Sequence, residues 1–69
     1  MNVRYDKTHD TMYINLAGGS YDKSKKISDS VMVDMAKNGT ILGIEILDAT
    51  ENIKHFDPKN PTVNIEYLQ

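Results

Sequence analysis

Two short stretches of this chain carry residue types able to do chemistry. Asp6-Lys7-Thr8-His9-Asp10 gathers two carboxylates and an imidazole within five residues, and Glu51 and His55 stand at i and i+4, which shares one face of a helical turn. Neutral imidazole with carboxylate oxygens suits zinc, manganese or iron. A small metal-binding protein or metal-dependent enzyme using His9, Asp10, Glu51 and His55 is therefore one reading, and it requires the two histidines to meet across the fold. The competing reading is structural. Aspartates flanking a four-residue loop accept backbone hydrogen bonds in Asx-type turns, and ligands on adjacent loop positions converge poorly on one ion. The structural reading is the stronger, so no metal and no cofactor is expected.

Other chemistry has less footing. The chain has no cysteine, which removes disulfides, thiolate metal sites and a thiol nucleophile. Ser20, Ser24, Ser28 and Ser30 show no nucleophile elbow. Gly18-Gly19-Ser20 opens no helix of lysine and hydroxyl residues that would cradle phosphate. Lys23, Lys25 and Lys26 form the one basic cluster, bracketed by Asp22 and Asp29, and a net charge of −2 speaks against a general nucleic-acid binder. A nucleic-acid-associated regulator is accordingly the third reading. No apolar run spans a membrane and none follows the first residues as a signal peptide would, so a cytoplasmic protein is expected.

The elements that must position these residues are strands. Asn38-Gly39 lies between the apolar runs Val31–Ala36 and Ile41–Leu47, the strongest short-range hairpin signal. With those two residues as a type I′ loop, Met35 faces Leu42, Val33 faces Ile44 and Val31 faces Ile46. Only an even loop keeps that apolar row together. The same parity holds earlier: pairing Asp6 with Thr11 sets Tyr5 opposite Met12 and Val3 opposite Ile14, with Leu16 continuing the stripe. The chain reads as one small domain over 1–69, mainly β. Its four antiparallel strands form a meander at about 2–6, 11–17, 25–36 and 40–48. A short helical turn follows near 50–56, capped by Asp48 or Thr50. Asp57-Pro58 and Asn60-Pro61 forbid a longer helix. Alternation over 62–68 makes that stretch a candidate fifth, edge strand.

One face of such a sheet shows Val3, Tyr5, Met12, Ile14, Leu16, Val31, Val33, Met35, Leu42, Ile44 and Ile46. That is too much apolar surface to leave in water, and a single sheet needs a second layer. Within the chain only Ile53, Phe56, Val63, Ile65 and Tyr67 can help, so a homodimer through this face is expected. On the opposite face Tyr13, Met32, Glu45 and Leu47 make a candidate surface for a protein partner.

Val3-Arg4-Tyr5-Asp6, Asp10-Thr11-Met12-Tyr13-Ile14 and Gly43-Ile44-Glu45-Ile46-Leu47-Asp48-Ala49 resemble the pattern of a small bacterial family known as domain of unknown function 2283 (DUF2283), over about residues 1–50. Met12 stands where leucine is usual, and Met35-Ala36-Lys37-Asn38-Gly39 replaces a more acidic turn. The resemblance implies a small β-rich fold and no established activity, and it adds an antitoxin-like partner to the third reading. The sum of these observations is a non-enzymatic protein-interaction module.

Overall fold

The computed structural model describes all 69 residues. Five strands, β1 (Asn2–Asp6), β2 (Thr11–Asn15), β3 (Tyr21–Lys26), β4 (Val31–Ala36) and β5 (Ile41–Ile46), precede one short helix, α1 (Ala49–Asn52). All strand pairs are antiparallel, and the order across the open sheet is β1-β2-β5-β4-β3.

This order corrects the expected meander. β2 pairs with the last strand rather than the next one, which makes β2, β5, β4 and β3 a Greek key. The link Leu16–Ser20 must therefore cross the ends of β5 and β4. It is tied down on the way, since the Leu16 and Ala17 amides both donate to the Leu42 carbonyl, at 2.8 and 3.2 Å. Leu16 leaves the strand and is exposed instead of continuing the apolar stripe.

The expected strand over 25–36 is two strands. The chain reverses at Ile27–Ser30, where the Ile27 and Ser28 amides donate to the Val31 carbonyl and the Ser30 amide to the Ser28 hydroxyl. β3 ran unseen because it is exposed on both faces, so its residues have no hydrophobic period. It is the fifth strand; Thr62–Leu68 pairs with nothing in the sheet.

The β4–β5 hairpin keeps the expected pairs Val31–Ile46 and Val33–Ile44, by another route. The loop holds three residues, Lys37, Asn38 and Gly39: Ala36 accepts from the Gly39 amide at 3.0 Å and donates to the Thr40 carbonyl at 2.9 Å. Only Gly39 has positive φ, at 90°, so the turn is a type I turn closed by a left-handed glycine rather than type I′. An odd loop would put Val33 on the wrong parity. A bulge between Asp34 and Met35 restores it by leaving Leu42 over, so Met35 faces Ile41 and not Leu42.

The first hairpin has the expected register in full, Tyr5 opposite Met12 and Val3 opposite Ile14. α1 is shorter than the expected turn and starts at Ala49, one of three buried residues with Thr11 and Gly43.

Candidate functional site

The ladder sets the apolar residues in two rows. Val3, Ile14, Ile44 and Val33 form one across four strands, and Tyr5, Met12, Ile46 and Val31 form the next. Each of these side chains is only half-buried. Over the β1–β2–β5 side the segment after α1 adds Ile53 and Phe56, and the Phe56 ring meets Tyr5 edge to face at 4.8 Å between centroids. Between this segment and the sheet runs a groove of about 650 Å³, floored by Val3, Tyr5, Met12, Ile14 and Ile46 and edged by His55 and Pro61–Asn64. No large side chain is fully buried, so the sheet lacks a complete second layer.

The rows end differently at the two sheet edges. At β3 the first row ends on Lys25, opposite Val33, and the second ends at Val31 in β4; Lys23 stands opposite Met35, with a bulge between Tyr21 and Lys23. Charged side chains and a bulge on an edge strand oppose the approach of another strand. At β1 they end on Val3 and Tyr5 with no bulge, and the strand's charged residues, Arg4 and Asp6, alternate onto the other face.

The acidic loop is committed to the fold. Asp6 accepts the Thr8 and His9 amides at 3.0 and 3.2 Å, and its other oxygen lies 2.7 Å from His9 Nδ1. The His9 ring bond and then its amide hold the Asp6 carboxyl below the usual carboxylate value. Asp10 takes a left-handed backbone, φ 49°, and reaches the start of α1. It accepts from the Tyr5 hydroxyl at 2.7 Å and from the Thr50 hydroxyl at 2.7 Å, and its carbonyl accepts from the Ala49 amide at 2.9 Å. The Thr50 hydroxyl, followed by that of Tyr5, holds the Asp10 carboxyl low, while the bond to Asp10 is the main cause of a raised Tyr5 hydroxyl. The expected cap therefore comes from Asp10 rather than from Asp48 or Thr50: Asp48 makes no side-chain cap and sits in the left-handed region.

His55 borders the groove, while Glu51 is exposed on α1. The structure does not gather His9, Asp10, Glu51 and His55 into one site, and no three histidine, aspartate or glutamate side chains converge in a way that would hold a metal.

On the other face Arg4, Tyr13, Glu45, Met32 and Lys26 make one rung across all five strands. The Arg4 guanidinium lies 5.6 Å from the Tyr13 ring centre and donates to Asn15 Oδ1. Burial, and then the neighbouring Asp34 carboxylate, push the Glu45 carboxyl up. Tyr13, Met32 and Glu45 are thus adjacent, as expected, and Leu47 lies beyond the end of β5. Two residues that shape the site differ in their signal in the sequence. Thr50 is recognisable only once Asp10 is beside it. Gly43 is legible as a glycine inside a strand: a Cβ there would lie 2.8 Å from the Ile14 carbonyl oxygen, so β2 approaches too closely for any side chain.

The family model described as "Protein of unknown function (DUF2283)" matches residues 2–49, and the chain belongs to that family. Neither the curated proteins nor the solved structures include a match to it. No helix is long and apolar enough to cross a membrane.

Proposed function

We propose that this protein is a non-enzymatic interaction module that dimerises through the apolar face of its sheet. The observation that carries the proposal is an area. A folded monomer of 7.8 kDa is expected to expose about 4,400 Å² by the scaling of surface with mass. This chain exposes 5660 Å², an excess of about 1,300 Å² over that scaling. A stable interface of ordinary size removes about 800 Å² from each partner. The excess is thus large enough to be the buried half of a dimer, and it is apolar both over the half-covered rows of Val3 to Val33 and Tyr5 to Val31 and at the exposed Val63, Ile65, Tyr67 and Leu68. The radius of gyration agrees, 13.0 Å against about 11 Å for a compact chain of this length.

The acidic loop supports a module over a catalyst, because Asp6 and Asp10 spend their oxygens on Thr8, His9, Tyr5 and Thr50. Dimerisation leaves the rung from Arg4 to Lys26 free, where an aromatic and a methionine alternate with charges of both signs. Such a surface suits a protein partner. Light scattering on the purified chain tests the first step: a mass twice 7.8 kDa is expected. A single-chain mass held from micromolar to millimolar concentration overturns it.

A further inference from the structure

The segment after Pro61 is built like a strand and has no sheet. Val63, Ile65 and Tyr67 alternate with Asn64 and Glu66, a period of two with one apolar side. Those three apolar side chains are 63, 75 and 86 % exposed. Only Pro61–Asn64 reach the lip of the groove, and the residues beyond them cover nothing in their own chain.

The sheet offers one matching place. β1 pairs only with β2, so its outer backbone groups lack a strand partner, and its apolar side carries Val3 and Tyr5 at the groove floor. The opposite edge, β3, is closed to pairing by Lys23, Lys25 and its bulge. Donor and acceptor therefore stand unpaired on the same molecule.

Resting on the dimer reading above, we infer that the occupant of the β1 edge is the Thr62–Leu68 segment of a second copy, each chain giving its tail to the other. The exchange is isologous, so one arrangement satisfies both copies and closes. It also buries the two exposed apolar surfaces of each chain against one another. Backbone bonding gives affinity in such strand addition, and alternate side chains give specificity.

Register follows from two constraints. The apolar side of the tail must face the groove, and a slip of one residue would turn it to the polar face. Running antiparallel, as every other pair in this sheet does, Tyr5 opposite Ile65 and Val3 opposite Tyr67 set Arg4 opposite Glu66. That register alone places opposite charges across from each other on the outer face.

The absence of native cysteine makes the test clean. Val3→Cys and Tyr67→Cys, made in separate full-length chains, mixed and oxidised, should form a mixed disulfide between the two chains. Arg4→Cys with Tyr67→Cys, on opposite faces, should not. In parallel, Ile65→Asp should raise the dimer Kd at least about tenfold with an unchanged circular dichroism spectrum, because Ile65 is exposed in the single chain; Ile65→Val should retain the dimer. A dimer whose Kd ignores Ile65→Asp, or a mixture that yields no mixed disulfide, overturns the exchange and leaves the face-to-face dimer standing. A disulfide within one chain, formed when both cysteines are placed together, overturns it in favour of closure by the chain's own tail. A wild-type chain of single-chain mass overturns both proposals.

Discussion

Gly43→Ala isolates the joint on which the fold depends. β2 and β5 bring the first hairpin and the three-stranded β3–β4–β5 unit into one sheet through four residue pairs, and Gly43 opposite Asn15 is the last of them. The added Cβ would stand 2.8 Å from the Ile14 carbonyl oxygen and 3.7 Å from its carbon. Ordinary contact begins near 3.4 Å, so the strands must part by roughly half an ångström at a point held by backbone on both sides. Such overpacking costs about 1–3 kcal/mol. Against the ~3–5 kcal/mol that a core of this size supplies, the loss is large. A shift of about 4–8 °C in Tm per kcal/mol makes it readable by thermal unfolding. Gly18→Ala is the control, since a Cβ there meets nothing within 4 Å and its backbone is not left-handed. Equal melting temperatures for Gly43→Ala and Gly18→Ala would refute the close approach of β2 and β5, and with it the Greek-key order.

Gly39→Val forces a β-branched residue to φ 90° and should cost more than about 1 kcal/mol, with Gly39→Asn milder; equal melting temperatures for these two variants and wild type would return the turn to another type. Acid should destabilise the chain: Asp6 and Asp10 have lowered folded values, so their contribution is present above the ordinary carboxylate range near ~4 and is lost as pH falls through the lowered values. Tm measured from pH 2 to 6 should show that limb, and Asp10→Asn should flatten it. Glu45 has the opposite sign, since its raised value favours the folded state below the ordinary glutamate value and loses that as pH rises; Glu45→Gln should therefore raise Tm near neutrality and leave it unchanged well below pH ~4.

The hairpins were legible because parity is a local property. Val3, Tyr5, Met12 and Ile14 fix their register from spacing alone, and the pairing of Val33 with Ile44 survives a wrong turn type. In that second case the route was not legible: a three-residue loop and a one-residue bulge each change parity by one, and together they restore the even count. β3 was hidden for the opposite reason. An edge strand exposed on both faces needs only backbone pairing, so Tyr21–Lys26 reads as a polar loop. Strand order lay beyond reach, because β2 and β5 have the same alternation as β2 and any other half-buried strand would. Asp6 accepts the Thr8 and His9 amides as an aspartate at the start of a short loop can, but the tie from Asp10 to Thr50 spans forty residues and no spacing rule reports it.

The matched family stretch and the chain's own packing divide at the same place. Residues 2–49 hold the whole sheet and end on Ala49, whose amide is bound to the Asp10 carbonyl. The groups that touch the groove from above, Ile53, Phe56 and Pro61–Asn64, all come afterwards. Latching Ala49 and Thr50 to the first loop fixes where the chain leaves the sheet, at the end where Tyr5, Met12 and Ile46 lie. Phe56 can then reach Tyr5, but Asp57-Pro58 and Asn60-Pro61 prevent a helix long enough to cover the remaining rows. The open groove thus follows from the prolines as much as from the sheet. A continuous amphipathic helix in place of residues 57–61 would supply the missing layer within one chain; these residues instead bring Pro61–Asn64 to the groove's edge and leave Val63, Ile65 and Tyr67 exposed. These unpaired groups are the ones that the proposed tail exchange with a second copy would join.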